Sequence, residues 1–402
     1  MILLSTTSIC FSQQYLKQEL DTTIYSHVFI LDGIGQYSGS AIQNEMVNKL
    51  LLGGAISSQT IQNSNDNHRE VNRFGFDLSS RLQYQNFKHL IGKNKKFGFL
   101  MNLENSNLGG ALYAKDLFQL VFDGNTNLES NSADLSGTRF YSIGFQKIGF
   151  GFVAAKSKSS ISLNYYNISN YTRANTSTFI FNQSLDYSQI DLETELNYSR
   201  TTGSRIDKGY GVGVDLDLRF PVETQKGKSM TFQVLAENLG FAQLYSNVEK
   251  YQVDTNYFYQ GLTFNQLFGE GRILTDEFTL SDTLGLNSTK SRHNIMLPGF
   301  IQIAKMTENK SSTSLQSYFG IRVYNLREYA PLMFIGAQYN LLENYNISSH
   351  LTVGGYGKPR MSLILNANFS KFKLGLSSND MYGLIARKGL GKSLLIQIKC
   401  EI

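Results

Sequence analysis

Tryptophan is absent from this 402-residue chain, cysteine occurs twice, proline four times, and charged residues make up only 17%. Each scarcity removes a class of protein. Two cysteines cannot supply a disulfide framework or a Cys-rich zinc site. Charge well below the ~25% usual in soluble domains argues against a solvated or disordered chain. Pro221, Pro298, Pro331 and Pro359 all fall at expected strand ends or turns, where a missing N–H costs nothing. No apolar run reaches the ~18 residues of a transmembrane helix, and a mean hydropathy of −0.22 excludes a helical membrane bundle. A net charge of +5, carried by scattered basic residues, lacks the concentrated stripe that nucleic acid demands.

What the chain has instead is 27 Phe, 23 Tyr and 35 Gly, set in stretches that alternate with period two. The last forty residues are the clearest. Met361, Leu363, Leu365, Ala367 and Phe369 share one face and Ser362, Asn366, Asn368 and Ser370 the other, with Ile364 out of pattern. The phase flips at Ser370-Lys371, and Phe372, Leu374 and Leu376 then alternate with Lys373, Gly375 and Ser377. Leu394, Ile396, Ile398, Cys400 and Ile402 close the chain in the same way, with only Leu395 out of pattern. A strict period of two means a strand with one oily and one wet face.

Similar alternation starts at Arg73, with Phe74, Phe76, Leu78, Leu82 and Tyr84 opposed to Arg73, Asp77, Arg81 and Gln83, and recurs at Phe97–Leu103, 139–146, 150–155 and 161–165. It is most informative in two strands expected to be neighbours, with three carboxylates in one and two beside it. Asp191, Glu193 and Glu195 alternate with Ile190, Leu192 and Leu196; Asp215, Asp217 and Arg219 alternate with Val214, Leu216, Leu218 and Phe220. Such a face cannot be a protein core, because unpaired buried charge is prohibitively costly. It must be wet, which leaves the apolar face for lipid or a second sheet. Residues 240–298 lose the pattern and read as a long loop or insertion. The expected fold is all-β: a transmembrane antiparallel up-and-down β-barrel of about fourteen strands with short N-terminal and loop helices. An array of soluble β-sandwiches is the competing reading.

The chain divides into three parts on this view. Residues 1–12 read as a signal-peptide remnant, with Cys10 and Ser12 as small residues before Gln13; cleavage there leaves Cys400 as the sole cysteine. Residues 13–70 form an N-terminal segment with a short amphipathic helix, in which Ser40 is the N-cap, Gln43 completes a capping box, Ile42, Met46 and Leu50 share a face, and Gly53-Gly54 ends it. It serves as a cap on the barrel or as a movable plug. Residues 71–402 form the barrel, whose last strand is expected to pair with a first strand near Arg73. A second short helix is expected over 114–122.

Several stretches resemble a family of uncharacterised Bacteroidota outer-membrane β-barrel proteins: Ala114-Lys115-Asp116-Leu117-Phe118-Gln119-Leu120-Val121-Phe122-Asp123-Gly124-Asn125, Ala133-Asp134-Leu135-Ser136-Gly137, Glu237-Asn238-Leu239-Gly240-Phe241 and Tyr382-Gly383-Leu384-Ile385. A wider similarity to fatty-acid-transporter-like barrels rests on size and architecture. The resemblance implies an integral protein of the Gram-negative outer membrane, with outer-membrane lipid and other envelope proteins as partners.

No reaction is legible. His27, His68, His89, His293 and His350 are scattered and form no metal or nucleophile motif; neither a metal nor a cofactor is expected. Gly209-x-Gly211-x-Gly213 sits within strand alternation, so it is read as small inward residues rather than a dinucleotide loop. The candidate site is the luminal acidic group Asp191, Glu193, Glu195, Asp215 and Asp217, either neutralised by luminal Arg73, Arg81, Arg219, Arg322 and Lys373 or biasing a pore toward cations. The function expected is a passive channel or transporter for small or hydrophobic ligands. The rival expectation is a non-conducting structural subunit of an outer-membrane secretion or assembly complex.

Overall fold

The computed structural model describes residues 19–20, 25–92, 95–125, 128, 131–186, 188–223, 229–259, 288–308, 315–342 and 344–402. The signal-peptide reading and the centre of the 240–298 stretch lie outside these residues. Strand makes up 71% and helix 10%. In chain order the elements are β1 (Glu19–Leu20), β2 (His27–Gly39), α1 (Asn44–Leu52), α2 (Ser58–Asn65), β3 (Val71–Ile91), β4 (Phe97–Ala114), α3 (Lys115–Phe122), β5 (Ser132–Asp134), β6 (Arg139–Ala154), β7 (Ser160–Gln183), β8 (Ile190–Thr201) and β9 (Gly209–Glu223). They continue with β10 (Ser229–Tyr259), β11 (Ser288–Met296), β12 (Phe300–Glu308), β13 (Leu315–Tyr324), β14 (Ala330–Leu342), β15 (Tyr345–Gly355), β16 (Gly357–Phe369), β17 (Phe372–Ser378), α4 (Met381–Ile385) and β18 (Gly391–Glu401).

Sixteen strands, β2–β4 and β6–β18, form a closed antiparallel ring. It is sealed by β18 against β2, from Gly391 opposite Ser38 to Glu401 opposite Val28. Closure leaves no sheet edge to satisfy. Two pairs of strands run end to end. Both β9 and β8 lie between β7 and β10, with β9 beside the lower part of each and β8 beside the upper. Likewise β12 and then β11 follow the far side of β10. One end of the ring, the foot, carries His27, Glu401 and tight turns such as that at Ser370-Lys371; the other, the mouth, carries the helices.

Outward residues are apolar around the circuit: Phe29 and Leu31, Phe97 and Phe99, Phe150 and Phe152, Ile161 and Leu163, Ile301 and Ile303, Met333 and Ile335, Leu351 and Val353, Leu374 and Leu376 are all exposed. Inward residues are buried and mostly polar in the β12–β16 wall, with Gln302, Arg322, Gln338, Ser348, His350 and Ser362 each at most 4% exposed. Ile364 and Leu395, the two residues out of pattern in the closing strands, are buried inward.

Three expectations are corrected. The last strand pairs with β2, not with a strand near Arg73, because β2 inserts between β18 and β3. Strand β10 runs unbroken to Tyr259, and β11 begins at Ser288, so much of the supposed loop over 240–298 is sheet. Register shifts between Ala236 and Leu239 and between Leu244 and Val248 change the phase of β10, and a strand whose phase shifts does not read as alternating. Finally, α1 begins three residues later than the capping box predicts. Gln43 occupies the N-cap, while Ser40 Oγ accepts the Arg73 N–H at 2.9 Å and ties β2 to β3. Gly53 ends α1 at φ 84°, a left-handed geometry suited to glycine.

At the mouth, α1 is clamped to the α4 segment. Asn44 Nδ2 donates to the carbonyls of Gly383 at 2.7 Å, Ala386 at 3.1 Å and Gly391 at 3.0 Å. Met46 is buried in one cluster with Tyr113 of β4 and Phe118 of α3.

Candidate functional site: the ring interior

At mid-height the interior is bridged by charge. Arg81 of β3 donates to Glu237 of β10 through both terminal nitrogens, at 3.1 and 2.8 Å, and to Glu104 of β4 through Nε at 3.1 Å. Lys147 of β6, 1% exposed, lies 2.7 Å from Glu104 and 3.1 Å from Asp215 of β9. Because β3 and β10 are not neighbours, the Arg81–Glu237 pair is a chord across the lumen. Paired, hydrogen-bonded ions are the form in which buried charge is tolerable.

The bulge in β10 is built into this network. Asn238 has φ 55°, a left-handed geometry that asparagine tolerates. Its Oδ1 accepts from Lys147 Nζ at 3.0 Å and from Tyr166 OH at 2.9 Å, while its N–H donates to Asp215 at 2.8 Å. A bulge re-aims side chains in this way.

Above the network the interior turns apolar. Tyr141, Ile143 and Phe145 of β6, Tyr166, Ile168 and Tyr171 of β7, Ala242, Leu244 and Val248 of β10 and Ile295 of β11 form one buried cluster, against which Leu326 from the β13–β14 turn is seated. That turn therefore folds inward. The β15–β16 turn does so too, sending Tyr356 against β3 and β4. A methyl group on Gly110 would lie 2.5 Å from the Tyr356 hydroxyl oxygen, and Gly75 would clash with the same ring, so only glycine admits this close approach.

The acidic residues singled out from sequence separate into two groups. Asp215 belongs to the central network. Asp217 accepts from Arg219 at 2.9 Å and from Gln233 at 2.7 Å. Asp191, Glu193 and Glu195 lie on β8, beyond the mouth, and are exposed. The two groups do not share a ladder, because β8 and β9 follow one another instead of pairing. Among the basic residues, Arg81 joins the network and Arg219 pairs with Asp217. Arg322 donates to Gln302 at 2.9 and 2.6 Å, Lys373 lies 3.1 Å from Glu401, and Arg73 stands near the mouth on β3 with its main chain bonded to Ser40. Glu104 and Lys147 do not stand out in the sequence, and Glu237 and Asn238 enter it only through the family resemblance, not as site residues. The available signal was Glu237-Asn238, two polar residues side by side in an otherwise alternating strand.

His350 is buried, and its Nδ1 lies 3.0 Å from the Tyr318 hydroxyl. Ser362 Oγ bonds the main chain of His350 rather than its ring, so the pair does not form a nucleophile–base couple.

A cavity of about 710 Å³ opens at the mouth, between β7, β8, β10, β11 and the β13–β14 turn. The outer face beside it is charged: Glu249 of β10 meets Arg200 of β8 at 3.2 Å and Lys290 of β11 at 3.6 Å. This trio is cross-strand neighbours at one height, above the apolar outward band.

No family model matches the chain, and no curated protein matches it. Among solved structures, the transport unit of the autotransporter AIDA-I from Escherichia coli aligns over 95% of this chain and 92% of its own, at 6% identity and a TM-score of 0.23. The P. putida toluene transporter TodX aligns over 94% and 80% at 9% identity and 0.30, and the CymD monoaromatic hydrocarbon channel over 94% and 89% at 7% and 0.29. At these scores the functional reading rests on the geometry of the ring itself.

Proposed function

We propose that this chain is an integral outer-membrane β-barrel of fourteen strands at the girdle, and that it serves as a passive channel or transporter for small or hydrophobic ligands. The strand number follows from taking β8 with β9, and β11 with β12, as single descending strands. The membrane reading is supported by the outward apolar band, which far exceeds the few hundred Å² that soluble proteins leave bare, and by closure, which lets a sheet stand in lipid without unsatisfied N–H and C=O groups.

The observation that carries the transport reading is the layering of the interior: an open polar cavity at the mouth, then a collar of buried aromatic and aliphatic side chains, then a charged chord. A ligand entering from the mouth has to part this packed apolar layer before it reaches the ion pairs. The chord favours a second reading, a non-conducting barrel that acts as a structural subunit of an envelope secretion or assembly complex. Reconstitution separates the two. Flux of a small apolar solute into liposomes, increased by the Arg81→Gln, Glu237→Gln double variant, supports transport. A barrel silent in both forms that co-purifies with other envelope proteins in gentle detergent supports the structural role.

A further inference from the structure

We propose that the cavity at the mouth is a binding site for an acidic saccharide, a ligand class beyond the small or hydrophobic solutes of the transport reading. Strand register sets its wall out in rows. Arg173 of β7 is opposite Ser199 of β8, which is opposite Lys250 of β10. Two residues further out, Asn175 is opposite Asn197, which is opposite Gln252. A two-residue step along a strand is about 6.8 Å, so a row of amides stands one sugar-ring width above a row of cations.

Arg327, from the inward-folded β13–β14 turn, adds a third cation to the lining. Arg173, Lys250 and Arg327 form no ion pair with a carboxylate among the described residues, and no described lining residue is acidic. The one carboxylate that acts on the lining is that of Glu328, buried near Tyr141 and Tyr171; three cations against it leave the concavity net positive, which draws in an anion. The next row outward places Glu195 opposite Asp254, which confines that anion to the Arg173–Lys250 level. At the floor, Tyr141 is 2% exposed and its hydroxyl has no hydrogen-bond partner, a group that a ligand hydroxyl would satisfy.

Cations fix the charge of the ligand and the amides fix its class. Asparagine and glutamine side chains both donate and accept, which suits vicinal hydroxyls. A long alkyl carboxylate would match the cations but lay its chain along the amide row, leaving those groups desolvated and unpaired. A carboxylate on a pyranose ring, seated between Arg173 and Lys250 over Ser199, leaves its hydroxyls at the Asn175, Asn197 and Gln252 level.

The test is calorimetric titration of the full chain in detergent with digalacturonate, neutral galactobiose, octanoate and inorganic phosphate. Digalacturonate is expected to bind at least about tenfold more tightly than each of the others. Arg173→Gln and Lys250→Gln should each weaken it by about tenfold, and Asn197→Ala should weaken it while leaving any phosphate binding unchanged. Resistance of the folded barrel to unheated SDS confirms that each variant is folded. Absence of digalacturonate binding overturns the proposal, as does equal or tighter binding of octanoate or phosphate, or affinity unchanged in the Arg173 and Lys250 variants. Solute flux is read separately on the same protein reconstituted into liposomes, so a silent barrel that still binds digalacturonate overturns the transport reading alone.

Discussion

The ring has a tall wall and a short one. In the tall wall β3, β7 and β10 run for 21, 24 and 31 residues, whereas β13, β15 and β17 in the short wall run for 10, 11 and 7. A tilted strand of ~9–11 residues spans a bilayer, so on the proposed membrane reading the short wall does little more than cross while the tall wall projects beyond it. The outward chemistry marks the boundary. Up to Phe241 the outer face of β10 is apolar, and at Glu249 it becomes a charged trio with Arg200 and Lys290. The inward chemistry differs as well. The short wall sets buried polar residues such as Gln302, Gln338 and His350 beside an aromatic cluster of Tyr318, Tyr329 and Phe334, while the tall wall carries the charged network, the apolar collar and the cavity. The difference teaches that, on this reading, height beyond the bilayer gives room for the proposed binding surface, because strands freed from spanning can vary both faces.

The largest predicted effect is on the charged chord. Arg81→Met leaves Glu104 and Glu237 without their shared partner, and breaking a buried pair costs roughly 3–5 kcal/mol. Unfolding by urea in detergent should show this loss, and adding Glu237→Gln should recover part of it. Full stability of the single variant would mean that the network contributes nothing.

The next prediction sharpens the contrast in height. Leu374→Arg, on the outward face of β17, should cost about 2–4 kcal/mol in bilayers, whereas Tyr198→Arg, on the outward face of upper β8, should cost about 0–1 kcal/mol. Equal costs in reversible folding into liposomes would remove the boundary inferred from the Glu249 trio.

A smaller effect concerns the helical cap of the tall wall. His68, between α2 and β3, bonds Ser64 O at 2.8 Å and the Tyr113 hydroxyl at 3.2 Å, and its ring lies 4.1 Å from that of Phe118. Burial, the largest cause, together with Lys115 and Lys358 and against the bond to Ser64, lowers its pKa to about 4. The folded cap therefore binds a proton less readily than the unfolded one. Its contribution is complete above the ordinary value of 6.5 and is lost as pH falls from there toward about 4. Protection of the 44–70 amides, taken relative to the intrinsic exchange rate at each pH, should fall over that window, and a His68→Gln variant should not show the change.

The smallest is a matter of orientation alone. Cys400 lies on the outward face at the foot, between Phe29 and Phe372 in register. It should react with a lipid-soluble maleimide and resist a bulky aqueous one. The reverse would turn the short wall inside out.

Legibility followed the same division between walls. The closing strands could be assigned to faces residue by residue: Met361, Leu365, Phe369, Phe372 and Leu374 are exposed outward and Ser362 is buried inward. Helix α3 was equally plain, with Gly124 at φ 78° just past its end. On the tall wall the pattern misled. The inward faces of β6 and β7 carry Tyr, Ile and Phe as their outward faces do, so hydrophobicity alone does not tell collar from belt. Lys147, standing alone in β6 between Gln146 and Ile148, gave no hint that it would be the most enclosed cation of the network.

The sequence by itself determined that the chain is a sheet with one apolar and one wet face, since a period of two is a property of the strand and survives whatever its neighbours are. It also determined that the wet face holds charge in need of partners. Only the tertiary structure decided which charges meet. Arg81 and Glu237 are 156 positions apart in sequence, and β8 and β9 share one gap between neighbours rather than lying side by side. Pairing across a closed ring depends on register, bulges and the number of strands, and these are set by the whole circuit closing on itself rather than by any stretch of it.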